Sequence, residues 1–264
     1  MSGIRQSFSF WSFTDHGMSP ADLLAGARGI GYDAVELIPD ELWGLARDSG
    51  LAVAAVDGHR PIEAGLNRRE NHPRIRESVL RRLRQAEQWR IPNLICFAGN
   101  RDGVGEAEGA KVTAEALASL AEPAREAGVT LLLELLNSKV DHPHYQADRT
   151  AWGAKVVEMV GSPSVKLLYD AYHMQVMEGD LVRTIGQHHA AIGHYHTAGN
   201  PGRHDLDDEQ EVHWPAVFRT IAATGYRGYV AHEFIPKGEP IAALKAAFDL
   251  CAGATSVRPP TTNL

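Results

Sequence analysis

The sequence predicts a single (β/α)8 TIM barrel. Three observations point there: eight short apolar stretches alternate with helical ones, the stretch Val129 to Glu134 is apolar almost throughout, and glycines mark the helix ends that feed the strands. Strands alternating with helices imply a parallel sheet with right-handed crossovers, and a continuously apolar strand suits a sheet covered on both faces. Eight such units in 264 residues fit a closed barrel, which takes about 250 residues, better than an open doubly wound sheet. No G-x-G-x-x-G follows the first strand and no Walker sequence is present, which removes the usual dinucleotide and nucleotide readings.

Ile4 to Trp11 reads as the first strand. Ser19 then caps a helix with Pro20 at its first position, and Gly29-Ile30-Gly31 ends it. Asp33 to Leu37 is the second strand, a helix spans Asp40 to Asp48, and Leu51 to Val56 is the third strand. Asp57-Gly58-His59 opens a polar loop before the basic helix Pro73 to Arg90, whose arginines read as a solvated face. Asn93 to Phe97, Val129 to Glu134, Lys166 to Tyr169, Ile192 to Thr197 and Tyr229 to Glu233 complete the eight strands. Helices are expected over Glu106 to Ala127, Asp148 to Val160, Asp180 to His188, Trp214 to Thr224 and Pro240 to Cys251. Gly31-Tyr32-Asp33-Ala34-Val35-Glu36 echoes Gly225-Tyr226-Arg227-Gly228-Tyr229-Val230, as repeated barrel units would. The barrel is assigned to 1–252 and a C-terminal tail to 253–264.

A formal net charge of -7 argues against a nucleic-acid partner. Cys96 and Cys251 match no metal or redox spacing, which leads us to expect a reduced, cytoplasmic setting. The start of the chain lacks a signal-peptide pattern, and no apolar run approaches the roughly 20 residues of a membrane span.

The chemistry concentrates at strand ends. Glu134, Asp170, His196 and Glu233 close four consecutive strands at separations of 36, 26 and 37 positions, about one βα unit each, so a barrel turns all four toward one mouth. Taken singly, a strand-end acid is more often a helix cap or a salt-bridge partner. Four together change the balance, because so much buried negative charge needs a cation. Three carboxylates and one imidazole suit Mn²⁺, Mg²⁺ or Co²⁺, with zinc the remaining option. His194 and His196 share one face of their strand; His196 is the better ligand and His194 an interior hydrogen-bonded histidine. His232 points away from Glu233 and reads as packing. His173 in the loop over the mouth and Arg203 in a glycine-bracketed loop are candidates for binding substrate; His59 and Glu36 are weaker ones, each more readily a structural or supporting residue. An H-x-H pair of the amidohydrolase type belongs on the first barrel strand, and this one falls on the seventh.

Tyr169-Asp170-Ala171-Tyr172-His173-Met174-Gln175 with Met177-Glu178-Gly179-Asp180, and Ile192-Gly193-His194 with Ala198 through Arg203, resemble the hydroxypyruvate isomerases of the xylose-isomerase-like barrel superfamily. The resemblance implies one divalent metal held by Glu134, Asp170, His196 and Glu233, with His173 and Arg203 near the substrate. It also implies isomerisation of a small hydroxy-carbonyl substrate, hydroxypyruvate to tartronate semialdehyde, by enediolate proton transfer between Glu134 and Glu233. Three departures stand out: His196 where these isomerases usually carry glutamine, Glu134-Leu135-Leu136-Asn137 in place of Glu-Pro-[IL]-Asn, and the loop Lys139 to Tyr145. Histidine at that place is similar to the ketose 3-epimerases. Such an epimerase, a keto-sugar or inosose lyase-dehydratase, and a non-catalytic sugar-binding barrel subunit are the alternatives. The superfamily's DNA-repair endonucleases need a multi-zinc cluster with more histidine ligands and a basic groove; the net charge of -7 and the single-metal set of this chain disfavour that reading. Barrels of this kind are often homo-oligomers.

Overall fold

Parallel strands close on themselves inside a ring of helices. The computed structural model describes residues 4–256. Along the chain run β1 (Arg5–Ser9), α1 (Pro20–Ile30), β2 (Ala34–Glu36), α2 (Trp43–Asp48), β3 (Ala52–Val53), β4 (Val56–Asp57), α3 (His72–Trp89), β5 (Asn93–Cys96) and α4 (Glu106–Glu126). Then follow β6 (Thr130–Glu134), α5 (Thr150–Val160), β7 (Val165–Asp170), α6 (Ala171–Met177), α7 (Leu181–His188), β8 (Ile192–Thr197), α8 (Trp214–Ala223), β9 (Tyr229–His232) and α9 (Pro240–Ser256).

The sheet order is β3-β2-β1-β9-β8-β7-β6-β5-β4, parallel throughout. Its two ends, β3 and β4, are halves of the one expected third strand. Ala54 N–H donates to Val35 O at 2.8 Å and Leu37 N–H to Ala55 O at 3.0 Å, while Gly58 N–H donates to Ile95 O at 2.8 Å. The strand therefore changes partner from β2 to β5 midway, and the barrel closes there.

Ser19 caps α1 as expected, its Oγ accepting from Asp22 N–H at 3.2 Å. The helix expected from Asp40 begins instead as a 3-10 turn, Asp40–Leu42, behind Pro39. α9 continues through Gly253 to Ser256, beyond its expected end at Cys251; the rest of the expected tail, 257–264, lies outside the described residues. Among the described residues no helix is long and apolar enough to cross a membrane.

His232 faces outward, away from Glu233, between the edges of Tyr32 and Phe218, and bonds Thr197 Oγ1 at 2.8 Å and Gln6 Oε1 at 3.0 Å. Burial pushes its pKa down to about 3. The unfolded chain takes up a proton here near pH 6.5, the folded chain only near 3, so stability is complete above 6.5 and falls as the pH drops. His232→Gln is therefore expected to lose about 2 kcal/mol less than wild type between pH 7 and pH 5 in urea unfolding. Parallel pH dependences would contradict this.

Candidate metal centre

Glu134, Asp170 and His196, on β6, β7 and β8, and Glu233, one residue past β9, meet at the C-terminal mouth of the barrel. One donor atom from each lies within 4.8 Å of the others, and all four side chains are buried. A bulge sets this geometry. Leu167 pairs with Ile192, but Leu168 pairs with His194 and Asp170 with His196. The extra residue, Gly193, brings His196 rather than Tyr195 beside Asp170, as bulges near active sites re-aim side chains. A Cβ on Gly193 would stand 2.7 Å from Lys166 Cβ and 3.1 Å from Leu132 Cδ2. Gly193→Val should therefore cost about 1–3 kcal/mol and weaken Mn²⁺ binding by at least tenfold, read by denaturation and calorimetric titration. A folded variant with unchanged affinity would show that the bulge does not set the site.

His196 Nδ1 faces the three carboxylates, 3.1 Å from Glu233 Oε2, 3.6 Å from Glu134 Oε1 and 3.9 Å from Asp170 Oδ2. Behind the ring, Nε2 lies 2.6 Å from Glu36 Oε1, out of line for a full hydrogen bond. The other Glu36 oxygen accepts from His194 Nε2 at 2.8 Å and Ser7 Oγ at 3.2 Å. Glu36 thus sits behind the candidate ligand His196, where groups that orient a metal-binding imidazole usually lie. Burial works to raise its pKa, but His194 and His196 outweigh it and bring Glu36 down to about 2.

The two glutamates sit in opposite settings. Glu233 Oε1 accepts from Trp11 Nε1 at 2.9 Å and Ser9 Oγ at 3.3 Å, and Oε2 accepts from Arg203 Nη2 at 2.6 Å. Burial favours protonation of Glu233, yet His196 and Arg203 overcome it and hold the carboxyl well below the usual range. Glu134 meets the His196 ring at 3.6 Å; burial, with Glu233 and Asp170 beside it, pushes its carboxyl up to about 8. Burial also raises Asp170, to about 6.

The residues present fit a divalent ion: oxygens from Glu134, Asp170 and Glu233 and Nδ1 from His196 form a hard, oxygen-rich set, and three buried carboxylates call for a counter-charge. Arg203 lies between the Trp11 and Tyr172 rings at 5.4 and 5.6 Å. Its backbone is left-handed, φ 57°, with its carbonyl accepting from Ile235 N–H at 2.8 Å.

His173 is not in a loop. Asp170 caps α6 by accepting from His173 N–H at 3.0 Å, so His173 falls in that helix's first turn, fully buried. His59 stands apart from the cluster. Its Nε2 accepts from Phe97 N–H at 3.0 Å and its ring meets the Phe97 ring edge-on, which ties the loop after β4 to β5.

The model of the xylose isomerase-like TIM barrel family matches residues 24–252. The chain belongs to that family. Among its family relatives, a human protein provisionally named hydroxypyruvate isomerase is 29% identical over 252 residues, 89% of this chain and 90% of its own. The hydroxypyruvate isomerase of Escherichia coli K12 is 30% identical over 172 residues, 65% of this chain and 66% of its own. A 2-oxo-tetronate isomerase of Cupriavidus necator is 35% identical over 130 residues, 49% of either chain. Of solved structures, one described as a family 2 AP endonuclease from Brucella melitensis superposes with TM-score 0.81 at 24% identity, covering 91% of this chain and 97% of that one. An L-ribulose 3-epimerase gives 0.77 at 21% identity, covering 96% and 95%. At those identities the structures speak for the barrel, while the curated relatives are isomerases.

Trp11, Ser9 and Asn137 were not singled out from sequence. Trp11 and Ser9 lie at the C-terminal end of β1, the same barrel face as the four candidate ligands, and that position was the signal available.

Proposed function

We propose that the protein is a metal-dependent isomerase of a small hydroxy-carbonyl acid, of the type that converts hydroxypyruvate to tartronate semialdehyde. The observation that carries this reading is the four-donor cluster of Glu134, Asp170, His196 and Glu233, buried beside Arg203. A divalent ion bound there supplies Lewis acidity that polarises a carbonyl and its neighbouring hydroxyl. Glu233, kept ionised by His196 and Arg203, takes the proton from the carbon bearing the hydroxyl. Glu134 serves as the carboxylic acid that returns a proton to the adjacent carbonyl carbon. The hydroxyl proton passes to the neighbouring oxygen, so the product differs from the substrate only in where two hydrogens sit. Arg203 anchors the substrate carboxylate, and the walls of Trp11 and Tyr172 exclude water from the guanidinium.

Two other substrates have specific support. The Cupriavidus relative's name suggests a 2-oxo-tetronate, an acid with the same reacting atoms, and histidine at position 196 suggests a free ketose. Steady-state rates for the Mn²⁺-loaded protein on hydroxypyruvate, a 2-oxo-tetronate and a ketose panel separate them. The acids should be preferred by at least a hundredfold in kcat/KM. Preference for a neutral ketose would replace isomerisation of an acid with epimerisation.

A further inference from the structure

We propose that Asn137 is a positioning residue that fixes His173 as the tautomer with its proton on Nε2, so that this ring donates a hydrogen bond to a substrate oxygen. The tautomer stands on its own; its use on substrate rests on the isomerase reading above.

Asn137 follows Glu134 by three residues, in a stretch that departs from the resembling family at Leu135 and keeps its asparagine. Its Oδ1 accepts from the backbone N–H of Val140 at 3.0 Å and of Asp141 at 2.8 Å. Two amide donors converging on one atom require that atom to be the oxygen, because the reversed amide would set NH₂ against both. Nδ2 then has two hydrogens to place. One goes to Asp141 Oδ2 at 2.5 Å and the other to His173 Nδ1 at 2.7 Å. Asp141 is held in turn by the Tyr172 hydroxyl, which donates to Oδ2 at 2.8 Å.

A donor aimed at Nδ1 demands a lone pair there, so the neutral ring carries its proton on Nε2. The competing acceptor for a proton on Nδ1, Asp141 Oδ2, is 3.8 Å away and out of hydrogen-bond range. The Nε2–H that results is buried, has no partner among the described residues, and lies 3.8 Å from Asp170 Oδ2 in the metal cluster. A buried donor left unpaired costs about 1–3 kcal/mol, a cost a ligand oxygen removes. Arg203 Nε is a second buried donor without a partner among the described residues, on a guanidinium whose Nη2 is 4.0 Å from the same Asp170 oxygen. Two unsatisfied donors beside one carboxylate select an oxygen that offers lone pairs, as a carbonyl or carboxylate does.

The test is Asn137→Asp, which keeps an oxygen for the Val140 and Asp141 amides and removes the donor to His173. The double variant Asn137→Asp with Asp141→Asn restores a donor–acceptor pair within the loop, in case two facing carboxylates unfold it. Long-range ¹H–¹⁵N correlation on Mg²⁺-loaded protein, with His173→Gln to assign the signal, reports which ring nitrogen is protonated. Wild type should show a bare Nδ1 and a protonated Nε2, and both variants the reverse. Their kcat/KM should fall about a hundredfold, with Mg²⁺ affinity changed by less than about threefold. A protonated Nδ1 in wild type, or variants that keep both tautomer and kcat/KM, would overturn the proposal. The stated tautomer with no turnover of any hydroxy-carbonyl compound would refute the isomerase reading and the donor's use on substrate, and leave the tautomer assignment intact.

Discussion

Glu233→Gln is expected to lower turnover by about a thousandfold, within the range for removal of a general base. Glutamine keeps the volume and an oxygen for Trp11 Nε1 and Ser9 Oγ, which now bond Glu233 Oε1. It removes the charge that pairs with Arg203 Nη2 at 2.6 Å and with His196 Nδ1 at 3.1 Å. Two kinds of loss follow. Proton abstraction stops, and the metal is held more weakly for want of one anionic oxygen. Saturating Mn²⁺ restores occupancy and separates them, so the residual deficit at saturation belongs to chemistry. Glu134→Gln is expected to act differently. Abstraction by Glu233 survives while delivery to the neighbouring carbon fails, so substrate C–H exchange with solvent continues without product. Equal loss of exchange in both variants would contradict the division of labour between the two glutamates.

Removal of the metal by chelation is expected to abolish turnover and to lower Tm by about 10 °C. The second effect follows from linkage. An ion present at a thousand times its Kd stabilises the fold by about 4 kcal/mol, and for a chain of this size each kcal/mol is worth about 2–4 °C. The physical source is the cluster of Glu134, Asp170 and Glu233, buried together with burial raising the pKa of Glu134 and Asp170. Differential scanning with and without chelator, followed by Mn²⁺, Mg²⁺, Co²⁺ and Zn²⁺ re-addition, measures it and ranks the ions. A Tm indifferent to chelator and to all four ions would mean that these carboxylates hold no cation.

The barrel and its four strand ends were readable because each rests on short-range pattern. An apolar run of strand length closing on a carboxylate, repeated at one-unit spacing, needs no tertiary knowledge beyond the rule that barrel chemistry sits at one face. What escaped depends on long-range pairing. The bulge at Gly193 exists only relative to β7, and glycine in an expected strand was its sole local trace. The third strand changes neighbour at Ala54 and Ala55, a switch that an unbroken apolar run does not reveal. His173 reads as a loop residue from sequence because a strand end is expected to lead into a loop, whereas Asp170 ends β7 and caps α6 at once. Glu36 reads from sequence only as a weaker substrate-binding candidate, because its contact with His196 requires β2 and β8 to face each other across the barrel interior.

The measurement that tests the central claim most directly is exchange of substrate C–H with deuterated solvent, followed by NMR, for Mn²⁺-loaded and metal-stripped protein given hydroxypyruvate. Exchange that requires the metal, survives in Glu134→Gln and disappears in Glu233→Gln is the predicted result. No exchange with hydroxypyruvate, a 2-oxo-tetronate or any ketose, despite stoichiometric metal, would contradict proton transfer at this site.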